Sequence, residues 1–185
     1  SLMERIALDE GTRADAGTGV SQTTHIVQYK TWSPNGGSTD WSGAGNWSGG
    51  TATNTRGVPV NNFNTGPANN WVVTVDNPNS VAQETVVSGN STVLGLEVAG
   101  SSAAMNVKVS AGSVLQARNG VRIRSGGQVE LDNGNLQTLR TVDIRQGGTL
   151  KAAGTIHPIY DTSGTPFQLY ATVKNGGRLE VGAES

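Results

Sequence analysis

The sequence predicts an all-β fold: a three-faced parallel β-helix, or solenoid, with coils of about 21 residues and an irregular Trp/Gly-rich N-terminal cap. Three observations carry this expectation. Residues 92–152 repeat at a step of 21. Thr92-Val93-Leu94-Gly95-Leu96 falls on Ser113-Val114-Leu115-Gln116-Ala117 and then on Gly134-Asn135-Leu136-Gln137-Thr138, while Val121-Arg122-Ile123-Arg124-Ser125 falls on Val142-Asp143-Ile144-Arg145-Gln146. Each unit holds three short apolar pairs, such as Leu115/Ala117, Val121/Ile123 and Val129/Leu131. Alternate strand residues face opposite sides, so each pair points inward and three pairs per coil make a triangular section. Glycine pairs at 126–127 and 147–148 then supply the positive φ that a sharp corner needs.

Composition agrees and narrows the function. Of 185 residues 26 are Gly, 5% are aromatic and 15% are charged, a turn-rich balance with short β-branched runs that favours strands over helices. A net charge of -1 removes non-specific nucleic-acid binding as a leading reading, because that binding depends on a large basic excess. With no cysteine there is no disulfide framework, thiolate nucleophile or cysteine metal site. No apolar run approaches the roughly 20 residues of a membrane helix, so the chain is not expected to span a bilayer. The first residues lack a basic region followed by an apolar one; a signal peptide is absent or already removed, and removal is favoured.

In chain order, residues 1–24 read as a polar arm, flexible or docked on a neighbouring subunit. Residues 25–71 read as a strand, Thr24 to Trp32, followed by a Gly- and Trp-rich cap. The run Thr31-Trp32, Asp40-Trp41-Ser42-Gly43, Gly45-Asn46-Trp47-Ser48-Gly49-Gly50 and Gly57-Val58-Pro59 resembles the opening of bacterial secreted β-solenoid proteins with autotransporter-type strand repeats. The resemblance covers about residues 31–154 and implies the fold and an extracellular or cell-surface location in a bacterium. It departs from the pattern after the proline, where Val60-Asn61-Asn62-Phe63 lacks the usual acidic residue. Residues 72–185 read as the solenoid. Val73 and Val75 lie 21 before Leu94 and Leu96, Val86 lies 21 before Val107, and a slip of about one residue is expected near 100–106. A further copy, Thr172-Val173-Lys174, comes 29 residues after Asp143-Ile144-Arg145, so eight extra residues form a loop within 157–166.

Outward residues one period apart become neighbours in a column. Arg122 over Asp143, and Glu130, Lys151 and Glu180 in alternating sign, support the stack. Arg124, Arg145 and Lys174 form a column of like charge, and as a candidate binding feature it would take an acidic polysaccharide. Trp41 and Trp47 either stack on a sugar ring or cover the open end of the core. His25 and His157 are not in a ligand spacing, and Asp76, Asp132, Asp143 and Asp161 share no column, so neither a metal, a cofactor nor catalysis is expected.

No C-terminal cap is visible after Val181, so the chain is expected to be a fragment of a longer solenoid or a subunit whose end another copy covers. Candidate assembly residues are Leu179 and Val181 at that end, with Ile26, Val27 and Tyr29 of the next copy docking head to tail. The reading is a secreted, self-associating structural protein of a surface layer, filament or matrix, the alternative being a carbohydrate-binding module of a secreted enzyme or adhesin.

Overall fold

A computed structural model describes residues 28–34, 39–48, 71–138, 141–158, 170–173 and 177–181. The N-terminal arm, Ile26, Val27, Lys174 and residues 159–166 of the expected loop lie outside them.

The described residues form a β-solenoid of about four turns with three faces. The first face stacks β2 (Trp47–Ser48), β1 (Gln28–Trp32), β3 (Trp71–Val75), β6 (Gly95–Val98), β9 (Val121–Ile123), β11 (Thr141–Ile144) and β13 (Tyr170–Val173). The second stacks β4 (Gln83–Val87), β7 (Met105–Val109), the first part of β10 (Gly127–Thr138), the first part of β12 (Thr149–Pro158) and β14 (Arg178–Val181). The third runs from β5 (Asn90–Val93) through β8 (Val114–Ala117) to the second parts of β10 and β12. All pairings are parallel except β1 with β2. Parallel stacking follows from the coil itself, since each strand meets its successor only after a full turn.

The step of 21 holds where it is most visible and fails earlier. It relates β8 to β10, β9 to β11 and the first part of β10 to β12. Earlier strands are further apart: Val73 pairs with Leu96, Ser91 with Leu115 and Leu96 with Val121, offsets of 23, 24 and 25. The expected overlay of Val73 on Leu94 and Leu94 on Leu115 is therefore corrected, and Leu94 fills the corner between β5 and β6. Likewise Thr85, not Val86, lies under Val107, and Val86 faces solvent. The cause is unequal corners: residues 99–104 separate β6 from β7, whereas only 124–126 separate β9 from β10. The slip expected near 100–106 is thus real, and larger than one residue. The later step of 29 is observed, Asp143 pairing with Thr172 and Thr149 with Arg178.

Inside runs one apolar column per inward position. Val75, Val98, Ile123 and Ile144 stack on the first face, Val107, Val129 and Leu150 on the second, and Leu115 and Leu136 on the third, all fully buried. Burying each such side chain contributes about 1.5–3 kcal/mol, which makes this interior the main source of stability. The Gly-Gly corners divide their labour. Gly126 and Gly147 adopt φ of 73° and 75°, whereas a Cβ on Gly127 or Gly148 would strike the carbonyl of Val98 or Ile123 in the coil below.

Tryptophans pack against the core at the N-terminal end of the described stack. Between β1 and β2 a short 3-10 turn, Ala44–Asn46, brings Trp41 and Trp47 together edge to face, ring centroids 5.0 Å apart, within the same buried cluster as Trp32 and the first coil.

Candidate functional site

The outer surface of the first face carries the densest set of charges. Register places Thr74, Glu97, Arg122 and Asp143 in one column, with Arg124 and Arg145 just past the ends of β9 and β11. Arg122 is half of a ladder: its guanidinium lies 3.4 Å from Asp143 and 3.8 Å from Glu97. The Arg122 and Asp143 neighbours were legible from the repeat. Glu97 was not, because a step of 21 sets it under Arg118 and the true offset of 25 sets it under Arg122.

Within the like-charge column, Arg124 and Arg145 each have an acid partner, and Lys174 lies outside the described residues. Arg124 donates to Glu97 Oε1 at 3.3 Å, and Arg145 Nε donates to Asp143 Oδ2 at 2.7 Å. Both carboxylates are buried beneath these arginines, so the repulsion expected between stacked guanidiniums is offset by acids one column over. The pairs leave Arg124 and Arg145 accessible, at 59% and 45%. A cleft of about 350 Å³ opens beside Arg124, lined also by Thr74, Asp76, Glu97, Ser101 and Ser125. Its acid at the far side is held: Asp76 accepts from the Ser101 amide at 2.9 Å and from its hydroxyl at 2.7 Å. Such a cleft offers one free guanidinium edge to a polar or anionic group.

The second face spends its polar side chains on one another. Asn106 donates to Glu84 and to Glu130, each at 2.7 Å, and accepts from Gln128 at 3.1 Å. Glu130, Lys151 and Glu180 alternate in sign along the next column, as the repeat implies, and Lys108 continues it at an offset of 22. Lys108 also reaches Asp132 at 3.2 Å, and the hydrogen bond and charge of that carboxylate hold its ammonium above the ordinary lysine value.

Trp41 and Trp47 present no ring face to solvent, being only 4% and 8% exposed. Their indole N–H groups donate to Ser91 Oγ at 2.9 Å and to the Trp41 carbonyl at 2.8 Å. The reading in which they cover the end of the core matches this placement, and the sugar-stacking reading does not. Among the assembly candidates, Tyr29 lies in β1 and its backbone pairs with Val72 of the same chain. The strand expected to dock on a neighbour is used at home, while Ile26 and Val27 lie outside the described residues. Leu179 stacks over the buried Leu150, yet is 42% exposed, and the backbone of Val181 pairs in register with Ala152.

Among the described residues no group of His, Asp or Glu converges as a metal site requires, and no helix is long and apolar enough to cross a membrane. Comparison of the chain with protein-family models, with curated proteins and with solved structures finds no match.

Proposed function

We propose that this chain is a secreted structural β-solenoid, a rigid spacer of a surface layer, filament or extracellular matrix, that associates with further copies of itself. One observation carries the association: among the described residues Leu179, stacked in register over the buried Leu150, is an apolar side chain left 42% exposed. The spacer role draws support from outward columns whose charges and amides are engaged with neighbours along the axis, an arrangement that stiffens a rod. The secreted, bacterial setting rests on the resemblance of residues 31–154 to autotransporter-type repeats. Light scattering after size-exclusion chromatography, with negative-stain imaging, tests the reading. Concentration-dependent oligomers of rod shape are expected, and a chain that stays monomeric at every concentration would overturn it.

A second reading, a carbohydrate-binding module, keeps the Arg124 cleft and loses its tryptophans. Binding of acidic polysaccharide that Arg124→Glu and Arg145→Glu abolish supports it, and binding that both variants leave unchanged removes it.

A further inference from the structure

Building on the self-association proposed above, we propose that two copies dock side by side through the outer surface of the second face, their axes antiparallel and related by a twofold axis between Glu130 and Lys151. Register sets the outward residues of this face in two columns. In one, Val86 is followed by Lys108, Glu130, Lys151 and Glu180; in the other, Glu84 is followed by Asn106, Gln128, Thr149 and Arg178. Within one chain the first column is under-used. Lys151 is half-buried, and among the described residues it makes no hydrogen bond or ion pair, although Glu130 and Glu180 lie one strand away on either side. Lys108 and Glu180 hold Asp132 and Arg178, yet their side chains stay 27% and 36% accessible. An ammonium has three donors and a carboxylate several acceptor sites, so each can take a second partner.

Charge complementarity selects a second copy as the occupant and fixes its register. A twofold axis lying in the contact plane along the strands keeps each column opposite itself and reverses its order. Centred between Glu130 and Lys151, it sets Lys108 opposite the second copy's Glu180 and Glu130 opposite its Lys151, each contact made twice. In the other column Asn106 meets Arg178 and Gln128 meets Thr149, with no like charges opposed. Centring on Glu130 or on Lys151 would set like charges face to face, and the neighbouring half-step registers oppose only half as many pairs. Strands about five residues long and about 4.8 Å apart give this face about 400 Å² per copy. The total of about 800 Å² falls short of the roughly 1,200 Å² of stable interfaces, so the contact is weak and, being ionic, sensitive to salt.

Sedimentation equilibrium of the full chain tests this. The unaltered chain should dimerise at low salt and dissociate at about 1 M, where charges are screened within about 3 Å. Lys151→Gln and Lys151→Glu remove no hydrogen bond or ion pair within the chain, and should weaken the low-salt dimer in that order, the second by about tenfold or more because like charges then oppose each other twice. Glu130→Lys should weaken it likewise, and an equimolar mixture of Glu130→Lys with Lys151→Glu should regain the dimer as a heterodimer, acids of one column opposing bases of the other. Circular dichroism checks that each variant is folded, and if Glu130→Lys is not, the two Lys151 variants decide alone. A dimer that Lys151→Glu or salt leaves at full strength, or a mixture of folded variants no more dimeric than either alone, would overturn the lateral contact while leaving self-association standing. Absence of any oligomer in the unaltered chain would overturn both.

Discussion

Thr85 shows what a single side chain does in this interior. It lies under Val107, fully buried, and its hydroxyl has no hydrogen-bond partner among the described residues. An unpaired buried hydroxyl costs about 1–3 kcal/mol, so Thr85→Val, of the same shape, is expected to stabilise the protein by about 1 kcal/mol. The urea midpoint should rise with an unchanged slope. Nothing in the sequence singles out Thr85, because a step of 21 assigns the inward position to its neighbour Val86, which is apolar and a better fit to the pattern. Lys108 illustrates the outer surface. Its folded value lies above the ordinary 10.5, so the Lys108 and Asp132 pair contributes fully below that range and is lost as pH rises through the folded value. Lys108→Met should remove this alkaline dependence from a stability profile and change little at neutral pH.

At the scale of the corner and strand, the Gly-Gly turns set the register of everything that follows. Gly127→Ala forces a methyl group into the Val98 carbonyl and should destabilise by about 1–3 kcal/mol. Gly45→Ala, where a Cβ would meet nothing within 4 Å, should stay within about 0.5 kcal/mol in the same thermal melt. The positive φ at Gly126 was readable from the sequence; the close approach at Gly127 needs the coil below and was not. Strand identity was legible from residue 115 onward, where successive corners match in length and apolar residues recur in phase. Before that, corners of unequal length shift the phase by one to four positions, and apolar neighbours such as Leu94 and Leu96 fit either register. The charge site suffers from the same slip, since Glu97 finds its arginines only in the true register.

Across the molecule, stability should fall from the inner strands of the stack to its outermost ones. Neighbouring coils contact only each other, so each coil is held by its own contacts and by the two interfaces it shares. The strands β6, β9 and β10 each have a strand on both sides, whereas β4, β5, β13 and β14 have one on one side only among the described residues. Hydrogen exchange should therefore show protection highest in β6, β9 and β10 and lower in β4, β5 and β14. Protection that is uniform along the stack, or greatest at β14 in the monomer, would contradict this gradient.

The Trp41 to Ser91 hydrogen bond has a consequence for the order of folding events. It joins residues 50 apart in the chain, while strand partners from β3 to β14 are only 20–29 apart. Closing the longer loop carries the larger entropy loss, and its receiving end, Ser91, exists as a fixed point only after β5 has paired with β8. The lid is thus fitted to a barrel already wound. In a refolding trace the burial of the indoles, followed by fluorescence, should lag behind the appearance of strand signal in far-ultraviolet circular dichroism.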